Sequence, residues 1–202
     1  MAKQPLGFKP KQPTRTPTLT RDLLAIHNRH EWRVFIDLLN TKRPAGTYGE
    51  HLACSALENY MSEYNIPYEV DAKNNIIVDL PRTESNVLFS AHYDSAHWAL
   101  NHDGTCGNHV HYDKTTNHLR GVDACIGADD ASGIYIMLRM LQAGVPALYI
   151  FHASEEVGCI GSHYIADKTP KVLEGITHAV AFDRRGTTDV IYEQGGQQCA
   201  SE

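Results

Sequence analysis

Apolar residues fall along this chain in short blocks of two kinds. The first kind repeats at helical spacing. Over residues 20–40, Leu23, Leu24, Trp32, Phe35, Leu38 and Leu39 form one stripe, which predicts a helix or two helical pieces about "HNRH". "TYGE" at 47–50 has the form of a capping box, with Thr47 as N-cap and Glu50 at N3. The helix it opens carries Leu52, Ala56, Leu57, Tyr60 and Met61 at core spacing. "SGIYIMLRMLQAG" (132–144) reads as an apolar helix ending at Gly144, and "GSHYIAD" (161–167) begins another.

The second kind is too short for a helix and rich in β-branched and aromatic residues, which predicts strands. These are "NVLFSAH" (86–92), "PALYIFH" (146–152), "THAVAFD" (177–183) and "TDVIYEQ" (188–194). "YEVDAKNNIIVDL" (68–80) reads as two strands about "KNN". A second hairpin is expected at "HVHYDKTTNHL", inside the polar stretch 95–126. Strands alternating with helices predict an α/β fold of three layers, α/β/α, with a mixed, mostly parallel central sheet.

In such sheets, ligands sit beyond the carboxyl ends of the strands. The residues just after each strand are therefore the ones to inspect. They are His92-Tyr93-Asp94, then Glu155 and Glu156, then Asp183, with Asp129 and Asp130 opening the helix between. Singly, each has an ordinary explanation: a strand-end turn, an N-cap, a solvated pair. Four such groups, in order and at one sheet edge, point to a metal site.

Composition narrows the picture. The length of 202 residues suits one domain with its own core. The first twenty residues carry four basic groups, no acid and four prolines, so residues 1–19 are expected to form a flexible basic tail ahead of a domain over 20–202. The net charge of −6 leaves −10 for the remainder once that +4 is removed. Such a body argues against nucleic acid as partner and suits a protein that gathers carboxylates around cations. No apolar run is long enough for a membrane span, and the N-terminus has no apolar h-region of a secretory signal. Five scattered cysteines without CxxC spacing suit a reduced, cytoplasmic setting.

"SAHYDS", "IGADDASG", "ASEEVGCIGS" and "VAFDRRG", in that order, resemble the co-catalytic di-zinc exopeptidases: zinc aminopeptidases, tripeptidases, and related carboxypeptidases and deacylases. The resemblance implies roles. His92 and Asp183 would bind one zinc, Glu156 the other, and Asp129 would bridge the two. Asp94 would orient a histidine ligand and Glu155 would act as general base. The peptide between Asp129 and Asp130 would be cis. Cobalt or manganese could replace zinc, and the substrate would be a peptide or an N-acyl amino acid. The family completes its second zinc site with a histidine far downstream, whereas the last histidine here is His178 and "GGQQCASE" resembles the start of a next helix. The expectation is thus a C-terminally incomplete domain with one well-held zinc and impaired activity. Self-association, or a complementing C-terminal segment, would follow. A deacylase, a glutaminyl cyclase-like enzyme with one zinc, and a non-catalytic interaction domain on the same scaffold are the alternatives. His97, His102, His109, His111 and His118 read as a polar surface loop, Cys125 and Cys159 as small packing residues, and Arg184 and Arg185 as surface groups or contacts to a substrate carboxylate.

Overall fold

The computed structural model describes residues 29–81, 86–98, 100–101, 104–121, 125–194 and 196–198. The expected basic tail, and the first part of the helix expected from residue 20, lie outside the described residues. In chain order the elements are α1 (His30–Leu39), α2 (Tyr48–Glu63), β1 (Glu69–Val70), β2 (Ile76–Asp79), β3 (Val87–His92), β4 (Val110–Asp113), β5 (His118–Gly121), α3 (Ala128–Gln142), β6 (Leu148–His152), α4 (Ile160–Lys168), a 3-10 turn (Pro170–Leu173), β7 (His178–Ala181), β8 (Glu193–Gln194) and β9 (Gln197–Gln198).

The main sheet has the order β1-β2-β6-β3-β7. β1 with β2 and β2 with β6 are antiparallel, while β6 with β3 and β3 with β7 are parallel. The sheet is mixed, with its pairings evenly divided. β6 is central, and the alternation of its side chains sorts the core into two sides. Tyr149 and Phe151 face α1, α2 and α3, packing with Leu38, Leu57, Met61, Ile134 and Met137. Leu148 and Ile150 face the other way, onto Ile165 of α4 and onto Val172 and Leu173 of the 3-10 turn. Each such side chain taken from water contributes about 1.5–3 kcal/mol. The result is the three-layer α/β/α arrangement. No helix among the described residues is long and apolar enough to cross a membrane.

Two sequence signals do what they promised. α3 stops at Gly144, whose φ of +68° closes the end with Gly144 N–H on the Leu141 carbonyl and Val145 N–H on that of Met140. Both hairpins form, β1 with β2 and β4 with β5.

Three signals do not. Thr47 is the N-cap of α2, but its hydroxyl donates to the Pro44 carbonyl at 2.6 Å and makes no bond to the helix. Glu50 does not reach back to Thr47, because its carboxylate accepts from Gly46 N–H at 2.6 Å and from Ser154 across the fold. Residues 188–192 form no strand, and only Glu193–Gln194 pair, with Gln197–Gln198. An apolar alternation needs a neighbouring strand and a face to bury, and Val190, Ile191 and Tyr192 are exposed. Gln197–Gln198 are extended and do not open a helix.

Candidate metal centre

β3 delivers the centre of the site. Parallel pairing on both sides holds it inside the sheet, and its last residue, His92, is 3% exposed. The imidazole Nδ1 lies 3.2 Å from Asp94 Oδ1. Nε2 lies 3.1 Å from Asp129 Oδ1, 3.7 Å from Asp183 Oδ1 and 3.9 Å from Glu155 Oε2. Burial alone would lower the pKa of His92, but hydrogen bonds to Asp129, Asp183 and Asp94 outweigh it and push the group up to about 12. The ring thus stands among carboxylates that demand positive charge.

Asp94 is fully buried and works in three directions. Besides His92, it accepts Glu155 N–H on Oδ1 at 2.9 Å and Glu156 N–H on Oδ2 at 3.0 Å. Burial would raise its carboxyl, yet the bonds from His92 and the two amides hold it below the usual carboxylate range. Asp129 and Asp130 come from the start of α3. Their φ/ψ angles are non-helical, and the peptide between them is cis, as the resemblance implied. Asp130 turns inward, accepting from Gly133 N–H at 2.9 Å and His92 N–H at 3.3 Å, and burial raises it to about 8. A Cβ on Gly133 would stand 2.3 Å from Asp130 Oδ1 and 2.5 Å from the Phe182 carbonyl. Only glycine lets α3 approach the end of β7 so closely, and Asp183 follows there at once.

The end of β6 is held residue by residue. His152 Nδ1 lies 3.2 Å from Asn75 Oδ1, which also accepts Ala153 N–H at 3.3 Å. Ser154 has a left-handed φ of +52°, which costs a non-glycine residue about 1–3 kcal/mol. Its N–H and its hydroxyl both donate to Glu50 Oε1 at 2.8 Å. Asp94 then takes the next two amides. Cys159 donates its thiol to Glu155 Oε1 at 3.3 Å, and burial raises that thiol. Burial, with the charges of Asp129 and Glu155, also raises Glu156, while the His92 charge opposes.

His92, Asp129 and Asp183 each offer a ligand atom, and these atoms lie within 4.8 Å of one another. The set joins one buried ring nitrogen to carboxylates that are 70% and 41% exposed. Glu155 stands beside it. Glu156 is fixed through its backbone next to Glu155 but is not one of these three donors. The loop histidines divide. His109, His111 and His118 are exposed and His102 lies outside the described residues, but His97 is buried, correcting the surface reading. Its ring nitrogens meet Ser95 Oγ at 2.7 Å and the Cys125 carbonyl at 3.2 Å, which is what allows burial. Arg184 pairs with Asp189 at 2.9 Å on the surface.

Arg43, Asn75 and His152 support the site without a sequence signal for that role, and Glu50 supports it in a way its capping-box motif does not show. Arg43 is fully buried between α1 and α2. Its guanidinium donates to the carbonyls of Tyr93 and Gly127 at 2.8 Å, of Thr41 at 3.2 Å, and of Leu38. Burial lowers it to about 10, so it stays cationic at neutral pH while tying together the backbone beside His92 and beside Asp129.

The sequence profile described as peptidase family M28 matches residues 75–200, which is 126 of the 202 residues and includes His92, Asp94, Asp129, Glu155, Glu156 and Asp183, while the supporting Arg43 and Glu50 lie ahead of it. The chain belongs to peptidase family M28. M28 is a family of metallopeptidases, in agreement with the resemblance of the four motifs. Among solved structures, the chain is similar to a tripeptidase from Staphylococcus aureus, with a TM-score of 0.63 and 16% identity over 78% of this chain and 43% of that one. It is also similar to aminopeptidase PepT from Bacillus cereus, with a TM-score of 0.59 and 19% identity over 78% and 43%. The Pyrococcus horikoshii TET1 peptidase, which can assemble into a tetrahedron or a large octahedral shell, gives 0.56 and 15% over 76% and 68%. At these identities the likeness concerns the fold. The M28 chain spans less than half the length of the first two proteins. No curated protein sequence matches it.

Proposed function

We propose that this M28 chain carries the zinc-binding core of an exopeptidase that hydrolyses the amide bond next to a peptide terminus. One observation carries the reading: the ligand atoms of His92, Asp129 and Asp183 lie within 4.8 Å of one another, and a free carboxylate oxygen of Glu155 stands 3.9 Å from His92 Nε2. The donor set is one imidazole and two carboxylates without thiolate, which fits zinc and, less selectively, cobalt or manganese. His92, Asp129 and Asp183 would hold one zinc. Asp94, through Nδ1, keeps the His92 ring turned so that Nε2 faces that position. Asp129 and Glu156 would hold a second. Two carboxylates are too few donors for a zinc site, so the second metal needs another ligand. A histidine from a segment outside the described residues, or from a partner chain, would supply it.

Zinc, when bound, supplies positive charge that polarises a carbonyl and acidifies water. The proton traffic falls to Glu155, which takes the proton from the attacking water and returns it to the leaving amine. The Cys159 thiol on Oε1 leaves Oε2 directed towards His92. Cys54, Cys106, Cys125 and Cys159 are free thiols, which fits a reducing cytoplasm.

The test measures metal content by mass spectrometry, together with hydrolysis of aminoacyl and N-acyl amide substrates. The expected result is one tightly held zinc per chain, with weak aminopeptidase-type hydrolysis that rises when a histidine-bearing C-terminal segment is supplied. A chain that retains no zinc, cobalt or manganese and cleaves neither substrate class overturns the reading. Hydrolysis of N-acyl substrates alone assigns the site to a deacylase.

A further inference from the structure

Residues 152–156 carry the Glu155–Glu156 pair, and side chains from three separate elements hold all five. Asn75, just before β2, holds His152 and Ala153. Glu50, in the first turn of α2, holds Ser154. Asp94, just after β3, holds Glu155 and Glu156. Glu50 differs from the other two. It comes from a helix rather than from a strand end, and it is buried with both oxygens engaged. Oε1 accepts two bonds from Ser154, the one residue of the five with a left-handed backbone. A left-handed residue just before Glu155 sets the direction in which both following side chains leave the backbone.

We propose that Glu50 is a positioning residue for the Glu155–Glu156 pair: by accepting the amide and hydroxyl of Ser154 it fixes the turn that aims Glu155 at the proton and Glu156 at the second metal. The inference rests on the roles given to those two residues above. It also gives the N3 glutamate of α2 a task. One oxygen stays at the helix end on Gly46 N–H, and the other reaches the site loop 104 residues away in sequence.

The test uses the whole chain with Glu50→Ala, Glu50→Gln and Ser154→Ala, and two kinds of readout. The first is amide hydrogen exchange without metal. In Glu50→Ala the amides of residues 154–156 should exchange at least about 10-fold faster while those of Tyr149, Ile150 and Phe151 stay unchanged. Ser154→Ala, which removes only the hydroxyl bond, should give a smaller change at the same amides. The second is function. Zinc affinity of the His92, Asp129 and Asp183 cluster should hold, whereas kcat should fall about 10- to 100-fold in Glu50→Ala with KM little changed, because a misplaced base costs rate more than binding. Glu50→Gln keeps an acceptor for Ser154, though its NH2 then meets Gly46 N–H, and should recover part of both losses. Equal acceleration of exchange in β6, unchanged exchange at 154–156, or a Gln variant as impaired as the Ala variant overturns the proposal. A wild-type chain without zinc binding or hydrolysis overturns the metallopeptidase reading instead, and the exchange data still decide for or against Glu50.

Discussion

The parallel ladder of β3 and β6 sets two histidines side by side, His92 and His152, and the fold drives them in opposite directions. Both end a strand of that ladder. His92 meets Asp94, Asp129 and Asp183 and is pushed up to about 12. His152 meets the neutral amide of Asn75 and is brought down to about 4, first by burial and then by the charge of its neighbour. Strand position is therefore not what makes a histidine a ligand. The neighbours decide: carboxylates collected from α3 and β7 surround one ring, and a side-chain amide from the β1–β2 turn faces the other. Asp94 joins the two strand ends, since the carboxylate that holds the His92 ring also holds the amides of Glu155 and Glu156.

In the proposed function the β3 end carries a metal-holding histidine and the β6 end carries the proton-transferring Glu155, and Glu155→Gln is the largest test of that proposal. The amide keeps the shape and cannot take the proton. Turnover of a hydrolysing form should fall roughly 10²–10⁴-fold while zinc per chain stays constant. Parallel assays of rate and metal content check both halves. Unchanged turnover removes Glu155 from the mechanism, and loss of zinc moves it to the metal-holding side.

The histidine pair itself supplies the next test. His92→Ala should weaken zinc binding by more than the about 10–100-fold typical of lost outer-shell partners. His152→Gln, one strand away, should leave zinc affinity within about 3-fold, since its ring faces Asn75. Calorimetric titration with zinc measures both. Equal losses would mean that the site spans both rings, and the contrast between the strand ends would fail.

The strand ends were legible in the sequence because each leaves a local mark: an apolar run, then a carboxylate or imidazole. Of the four expected ligands, His92, Asp129 and Asp183 stand together and Glu156 is not among those donors, and the peptide between Asp129 and Asp130 is cis. The supports were not legible, because each is a lone polar residue whose partner is distant in sequence. Arg43 bonds a carbonyl 84 positions away, Glu50 an amide 104 away and Asn75 an amide 78 away. Glu50 departs from its motif, since S/T-x-x-E implies a closed local exchange and nothing local reveals that Ser154 competes for it. The strand expected at 188–194 failed for the converse reason. Its alternation is local, but a strand needs a partner, and among the described residues β7 pairs only with β3.

The smallest expected effect concerns pH. His152 carries an ordinary pKa near 6.5 when unfolded and about 4 when folded. Between those values the unfolded chain binds the proton and the folded chain does not, so stability rises with pH across this window and is lost as pH falls through it. Well above pH 6.5 both states become neutral and the slope contributed by the residue fades. From pH 7.5 to 5.5 the loss attributable to His152 should be about 1 kcal/mol, from the populations of the two protonation states. Urea unfolding of the metal-free chain at both pH values, for wild type and His152→Gln, isolates this share, because the other histidines cancel in the difference. Wild type should lose about 1 kcal/mol more than the variant on acidification. An identical loss in both would mean that His152 titrates normally in the folded chain, and that the two rings of the β3–β6 ladder do not differ as their neighbours dictate.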